Sequence, residues 1–383
     1  MKKAATVLLC AVIALAAAGC WSSGDLNEYA FVVGVAVDQG STPDNILLTV
    51  QVAKPSGFKS TINGGGGSGE DAYWNISNEG ETLFNAVRGF THESGRKLDF
   101  QHNTLLIYSR DIAEKGLWDC MDLFVRDHEF RTSTWVAITD EKAADVFEVE
   151  AGLETLPAVE IDKMMDSQQY TSQSYTTELL DFLKRLKSDT TAPLAPIISI
   201  RGEGEDRKIH ISGAAVFHKD QLIGELSDLE TRGLMWVTGN VKSGILIVDC
   251  PCGQGKVELE IFQAKSSVTP VLKDGNLSFL VEIKEKGNLG SQTCSENLAS
   301  TKKLDVLSKR QNEAIKTEIE AALKKAQELN ADIFGFGEAV YRKYPKQWKS
   351  MKDQWSEIFP TLDVEIKVQS DVYGTGNITK PVN

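Results

Sequence analysis

The cysteines are the residues whose number and spacing could do chemistry in this 383-residue chain. Cys250 and Cys252 are separated by a single proline, and Cys294 follows them later in the chain. Thiols in an exported protein usually form disulfides, whereas a structural zinc site needs four cysteine or histidine ligands at characteristic spacing. The paired CxxC motifs and nearby histidines of such a site are missing. The sequence therefore predicts a disulfide and no metal site.

The pairing of these cysteines stays open at the level of sequence. Cys250 and Cys252 are too close to pair easily with each other, so one of the two is predicted to bond to Cys294. Cys120 lies in a stretch with helical periodicity and is predicted to be a buried free thiol. Four cysteines allow three complete pairings, and spacing alone does not choose among them.

Motifs of common catalytic sites are missing from the sequence. It contains no HExxH pattern and no GxSxG elbow. Asp127, His128 and Glu129 could move protons, but two neighbouring arginines, Arg126 and Arg131, favour a surface charge network. The sequence therefore predicts a protein that is not an enzyme, with no catalytic residues and no cofactor.

The first twenty residues carry the signals of an exported lipoprotein. Lys2 and Lys3 give a positive start, residues 4–18 form an uncharged apolar run, and Gly19 precedes Cys20. A run this short that ends in small residues is typical of a cleaved signal peptide, not of a membrane span. A cysteine at the cut predicts a covalent diacylglycerol and acyl anchor on Cys20. Ordinary secretion, with Cys20 as an incidental thiol, is the alternative.

Composition and charge narrow the classes of partner. The chain is 42% hydrophobic and 25% charged, which is typical of globular proteins, and its formal net charge is −13. An acidic protein is repelled by nucleic acid and by anionic lipid. We therefore expect no binding to nucleic acid, and we expect membrane attachment to depend on the acyl anchor and on protein partners.

The elements that position these residues follow from periodicity and turn chemistry. Residues 29–53 predict a hairpin, and the alternating helices and strands that follow predict an α/β or α+β unit. The proline-bearing stretch 191–196 predicts an extended linker. A hairpin over 211–225 opens a second unit, which also contains a predicted strand over 244–249. Two strands, a long helix over 303–329 and a last strand near 364–368 form a third.

The predicted fold class is α+β. Three mixed α/β domains follow one another, each a small sheet packed with helices, after the cleaved lipoprotein signal peptide. The boundaries are 1–19 for the signal peptide, 20–195 for the N-terminal domain, 196–255 for the middle domain, and 256–383 for the C-terminal domain with its long helix.

Five motifs occur in order along the mature chain: GCW at 19–21 with DLN at 25–27; SGRKL at 94–98 with QHN at 101–103; RDHEFR at 126–131 with TW at 134–135; GAAVF at 213–217 with ETRG at 230–233 and WVTG at 236–239; and DIFGFGE at 332–338 with YRKYP at 341–345, Trp348, Trp355 and FP at 359–360. Together they resemble the Ger(x)C family, the lipoprotein C subunits of bacterial spore-germinant receptors. The tetraglycine run, Ala17 and the cysteine cluster depart from the family pattern.

The resemblance implies a three-domain α+β lipoprotein on the outer face of the spore inner membrane. It implies two polytopic membrane subunits as partners, one of them transporter-like, in a receptor that responds to small nutrients. This subunit would support assembly of the complex or transmission of the germination signal. A solute-binding lipoprotein serving a membrane transporter is the alternative. An envelope hydrolase is a third, which the missing motifs disfavour.

Aromatic residues in the last motif predict a partner surface, since exposed aromatic and cationic groups suit interfaces. A hinge between the long helix and the final helices is the alternative interpretation. The residues of the predicted surface are Phe334, Phe336, Tyr341, Tyr344 and Trp348.

Overall fold

A computed structural model describes residues 4, 28–55 and 72–374 of the chain. The cleavage position, Cys20 and the tetraglycine run lie outside the described residues. Within them the strands form two sheets, one of nine strands and one of four, and helices pack on both. The prediction of a mixed α/β fold is confirmed at this level.

The first sheet combines a parallel centre with antiparallel edges. β1, β5, β6 and β7 run parallel at its centre, and a hairpin extends it on each side. Its central strands are buried on both faces and read as continuous apolar runs, which is typical of parallel strands. The strands are β1 (Tyr29–Gln39), β2 (Ile46–Ala53), β3 (Tyr73–Gly80), β4 (Lys97–Asp99), β5 (Leu105–Ser109), β6 (Trp135–Thr139), β7 (Leu194–Arg201), β8 (Lys208–His218) and β9 (Gln221–Leu226), in the spatial order β3-β2-β1-β5-β6-β7-β8-β9 with β4 beside the start of β1.

Helices cover both faces of this sheet. These helices are α1 (Leu83–Gly89), α2 (Arg110–Lys115), α3 (Trp118–Arg126), α4 (Ala143–Val146), α5 (Pro157–Ser167) and α6 (Leu179–Leu186). On one face, α1, α2, α3 and α6 share an apolar core with the sheet. On the opposite face, α4 and α5 share a second core with it.

The second sheet has helices on one face. Its strands are β10 (Gly244–Asp249), β11 (Lys256–Lys273), β12 (Asn276–Gln292) and β13 (Asp363–Gly374), of which β13 runs parallel to β12. A parallel neighbour requires a long crossover. The crossover contains α8 (Thr301–Glu328), α9 (Phe336–Lys343), α10 (Pro345–Met351) and α11 (Trp355–Ile358), and α7 (Asp228–Thr238) packs beside α8.

The prediction of three small sheets is wrong for the described residues. β8 and β9, from the predicted middle domain, extend the first sheet, and β10 pairs with β11 of the second. The predicted linker 191–196 instead leads into β7, where Leu194 and Ala195 are fully buried. Pro196 is tolerated there because the β7–β8 register shifts between Ala195 and Ile197, which frees its position from the ladder. The predicted boundary at 195/196 thus falls inside a strand.

Among the helices of the described residues, none is long and apolar enough to cross a bilayer.

Candidate partner-binding surface

The aromatic residues of the last motif are divided between the core and the surface. Phe336 and Trp348 are buried, so the prediction that they form part of a partner surface is wrong. Phe336 stacks on Phe279 of β12, with ring centroids 4.3 Å apart. Tyr341 is exposed, and the remaining two, Phe334 and Tyr344, are half-buried.

Asp332 explains why this motif folds inward. Its carboxylate accepts hydrogen bonds from the backbone N–H groups of Gly335, Phe336 and Gly337, at 2.8, 2.9 and 2.8 Å. Burial raises the pKa of the Asp332 carboxyl, and these three donors oppose that shift. Gly335 has a φ of +79°, which a residue with a side chain rarely adopts. The motif therefore builds the start of α9 and joins it to α8.

The ETRG and WVTG motifs lie in a second structural junction. Glu318 of α8 accepts a hydrogen bond from Trp236 Nε1 at 2.8 Å and from Arg232 Nε at 2.9 Å, and it pairs with Arg232 Nη2 as well. Gly233 lies directly against the backbone oxygen of Glu318. These contacts hold α7 against α8. The residues of this motif therefore have a structural role in helix packing and do not form a site on the surface.

The second motif packs against the first residues of β1, near the start of the described residues 28–55. β4, which contains part of this motif, pairs with the first residues of β1. The ring of His102 contacts that of Phe31 edge-on, with centroids 5.4 Å apart. Lys97 Nζ then reaches Glu129 Oε1 of the third motif at 2.7 Å, which raises the pKa of Lys97. We call this edge of the first sheet the β1-start end.

The third motif forms a surface charge network with neighbours other than those predicted. Arg126 pairs with Asp122 at 2.6 Å, and Glu129 pairs with a lysine of the second motif. The His128 side chain is exposed, and its Nδ1 lies 3.6 Å from Asp127 Oδ1. No enclosed acid–base pair results among these described side chains, which favours the charge-network interpretation.

A groove between α1 and α3 leads away from the β1-start end. Two adjoining cavities of about 360 and 680 Å³ form it, and both are lined by Phe84, Leu123 and Asp127. Phe84 and Trp118, two of its lining residues, are each about half exposed. Arg88 lies over the Phe84 ring at 5.0 Å. We call this feature the α1–α3 groove; its apolar walls and mixed charges suit an apolar polypeptide segment.

Sequence reasoning missed this groove. Leu83 and Phe84 are neighbouring apolar residues of α1, and the structure buries Leu83 but turns Phe84 toward solvent. In α3, Trp118 and Val125 flank the buried Cys120 and are likewise exposed. The sequences of α1 and α3 contain more apolar residues than one helix face can bury. This excess was the available signal that some of these residues are exposed.

The cysteines that were predicted to pair lie together. Cys250 is bonded to Cys294, with their Cα atoms 6.5 Å apart. Cys252 is a free, exposed thiol, and its Sγ lies 3.4 Å from that of Cys250. Cys120 is free and buried, and burial raises its pKa to about 12. Three sulfur atoms within 4.8 Å of one another are thus the main cluster of reactive groups in the described chain.

The comparisons with known proteins decide the family. The family described as "Spore germination protein N-terminal domain" matches residues 22–200. The family described as "Spore germination B3/ GerAC like, C-terminal" matches residues 212–376. The chain belongs to the Ger(x)C family. The two matches together cover the whole second sheet and most of the first.

Several relatives from Bacillus subtilis (strain 168) align along nearly their full length. Spore germination protein KC is 27% identical, over 99% of this chain and 97% of the relative. Spore germination protein B3 is 24% identical over 99% and 100%, and spore germination protein A3 is 26% identical over 97% and 99%. The crystal structure of the GerBC protein superposes with a TM-score of 0.58 at 20% identity, over 88% of this chain and 96% of that one. This Ger(x)C chain therefore shares the fold of GerBC.

Proposed function

We propose that this Ger(x)C chain is a non-enzymatic, lipid-anchored subunit of a spore nutrient-germinant receptor. The observation that carries the proposal is the end-to-end similarity to spore germination proteins KC, B3 and A3. Proteins that share one domain only would align over part of each chain, whereas these alignments cover nearly the whole of both chains. The subunit acts in assembly of the receptor or in transmission of the germination signal.

The proposed anchor fixes which part of the protein lies near the membrane. Seven residues lie between Cys20 and Glu28, and the eight residue-to-residue steps that join them span at most roughly 30 Å even when fully extended. The β1-start end therefore lies within that distance of the bilayer when Cys20 carries its acyl groups. Two or more acyl chains hold a protein stably on a membrane. We place the protein on the outer face of the spore inner membrane.

The proposed partners are two polytopic membrane subunits, one of them transporter-like. We assign the α1–α3 groove to an apolar extracytoplasmic segment of one such subunit. The groove adjoins the β1-start end, so the anchor places it beside membrane proteins. Its rim carries both signs of charge, with Arg88 and Arg126 near Asp122 and Asp127, which suits a protein segment better than anionic headgroups.

Substitution of the anchor cysteine tests the proposal. Cys20→Ala removes the acylated thiol, so spores carrying this variant should lose germination in response to the nutrient that their receptor detects. Cys10→Ala, inside the predicted signal peptide, is the matched control and should germinate like the parent. Germination is followed by the fall in optical density after nutrient addition. Unimpaired germination of the Cys20→Ala spores would count against the proposal.

A further inference from the structure

Three sulfur atoms meet where the turn between β10 and β11 packs on the segment after β12. Cys250 and Cys294, the bonded pair, are both buried, so the protein shields their sulfur atoms from molecules in solution. Cys252 is exposed, and its sulfur lies 3.4 Å from that of Cys250. A buried bond therefore has one solvent-facing thiol in contact with it.

The turn holds the third thiol in this place. The Cys250 N–H donates to the Gly255 oxygen at 3.1 Å, and the Gly253 N–H donates to the Cys250 oxygen at 2.8 Å. Arg310 of α8 donates to the backbone oxygens of Asp249 and Cys250, at 2.6 and 3.2 Å. Because both ends of the turn are hydrogen-bonded, Cys252 stays beside the disulfide.

We propose that these three cysteines form a thiol–disulfide exchange site in which Cys252 connects the buried bond to low-molecular-weight thiols in solution. The Cys252 thiol loses its proton to water, and the thiolate attacks Cys294 Sγ. The Cys252–Cys294 bond forms as the Cys250–Cys294 bond breaks, and the Cys250 thiolate takes up a proton. This step is an isomerisation, so it needs no oxidant or reductant.

The Cys252 thiolate could attack either sulfur of the disulfide, and the size of the ring in the resulting product favours attack on Cys294. A Cys250–Cys252 bond would close a ring across Pro251 alone, whereas Cys294 lies on a separate segment and all three sulfurs lie within 4.8 Å. After the exchange, the bond contains one exposed sulfur. An external thiolate attacks Cys252 Sγ there, forms a mixed disulfide and releases the Cys294 thiolate. A second external thiol completes the reduction and leaves as a disulfide with the first.

The rate at which glutathione reduces the bond tests this route in the full-length protein. Cys252→Ser should slow reduction about tenfold or more, since direct attack on the buried sulfurs is blocked. Cys120→Ala removes the other free thiol of the described chain and is the control, which should react like the parent. Peptide mass mapping determines for each cysteine whether it is a free thiol or part of a disulfide. Equal rates for the parent and Cys252→Ser would overturn the proposal.

A second variant tests the new bond itself. Cys250→Ser removes the buried partner, so Cys252 should bond to Cys294 under oxidising conditions in which the parent forms its own disulfide. Circular dichroism identifies the folded fraction, and peptide mapping of that fraction reads the bond. A folded variant in which Cys252 and Cys294 both remain free thiols would overturn the proposal.

Discussion

The carboxylate of Asp332 satisfies three consecutive backbone N–H groups in a place that water does not reach. One side chain thus replaces the hydrogen bonds that the first turn of α9 lacks. The DIFGFGE motif is explained by this cap and by the left-handed Gly335 inside it.

Asp332→Ala should lower the free energy of unfolding by about 3 kcal/mol, since it leaves buried donors without an acceptor. Asp332→Asn keeps one acceptor oxygen and should lose about half as much. Urea denaturation measures both. Glu338→Ala, at an exposed position of the same helix, is the control and should change little. A loss as small as that of the control would contradict the capping role.

Glu285 is a buried carboxyl group on β12, beside Gln311 of α8 and Ser370 of β13. Burial raises the pKa of Glu285 from its ordinary value of 4.5 to about 7; the nearby polar side chains of Ser370 and Gln311 oppose the shift, and the charge of Asp371 adds to it. Between these two pH values the folded chain holds a proton that the unfolded chain has lost. The free energy of unfolding therefore falls as the pH rises through this window.

Glu285→Gln should remove this pH dependence, because glutamine imitates the protonated carboxyl group. The variant should be more stable than the parent at pH 8 by up to about 3 kcal/mol, and nearly equal to it at pH 4.5. Denaturant unfolding at both pH values measures the difference. Glu282→Gln, at an exposed position of the same strand, should leave the parent's pH dependence unchanged. A parent and a Glu285→Gln variant with the same pH profile would contradict the assignment.

At the scale of elements, the contact between α7 and α8 is set by one glycine. A Cβ at position 233 would overlap the backbone oxygen of Glu318. Alanine is favoured over glycine inside a helix by about 1 kcal/mol, but a backbone oxygen cannot move aside without displacing α8.

Gly233→Ala should therefore destabilise the protein by about 2 kcal/mol or more, since the cost of overpacking exceeds the gain in helix propensity. Gly95→Ala is the matched control, because a Cβ there meets no atom within 4 Å; it should be neutral to within about 0.5 kcal/mol. Thermal unfolding followed by circular dichroism compares the two. A stable Gly233→Ala variant would show that α7 and α8 are not packed this closely.

The α1–α3 groove is tested by making its exposed aromatic residues polar. The double variant Phe84→Ser and Trp118→Ser should reduce co-purification of the membrane subunits about tenfold, since aromatic residues dominate interface energies. Leu153→Ser changes a residue that is 96% exposed in the loop before α5, and it is the control. Unchanged co-purification by the double variant, with the fold intact, would exclude this groove as the contact.

The elements that could be predicted from the sequence are those with a local signal. β10 was predicted at its observed bounds, and the β1–β2 hairpin was marked by its turn residues. β3 was missed because its residues are mostly polar, and it is held by backbone pairing at a sheet edge. α5 was missed because it has few turns and begins at a proline. The bonding of Cys250 to Cys294 depends on tertiary placement, so spacing could not choose it.

At the scale of the whole molecule, the two sheets share one apolar core. Leu194 and Val216 of the first sheet pack in the same cluster as Ile283 of the second sheet and Ile315 of α8. Periodicity and turn chemistry predicted three separate units, because these local signals do not show which distant strands pair. The described chain is built instead as two sheets joined through α7, α8 and the Asp332 cap.

We propose that this acidic protein is held at a membrane by its lipid anchor and by its protein partners. The formal net charge of −13 gives the chain no general attraction to anionic lipid. Its proposed attachment therefore depends on Cys20 and on the membrane subunits that bind beside it.

Co-purification of the tagged full-length chain from spore membranes in mild detergent tests this account most directly. Quantitative mass spectrometry should recover two polytopic membrane proteins, one of them transporter-like, in amounts comparable to the tagged chain. Recovery of the chain alone, from membranes in which both proteins are present, would contradict its role as a receptor subunit.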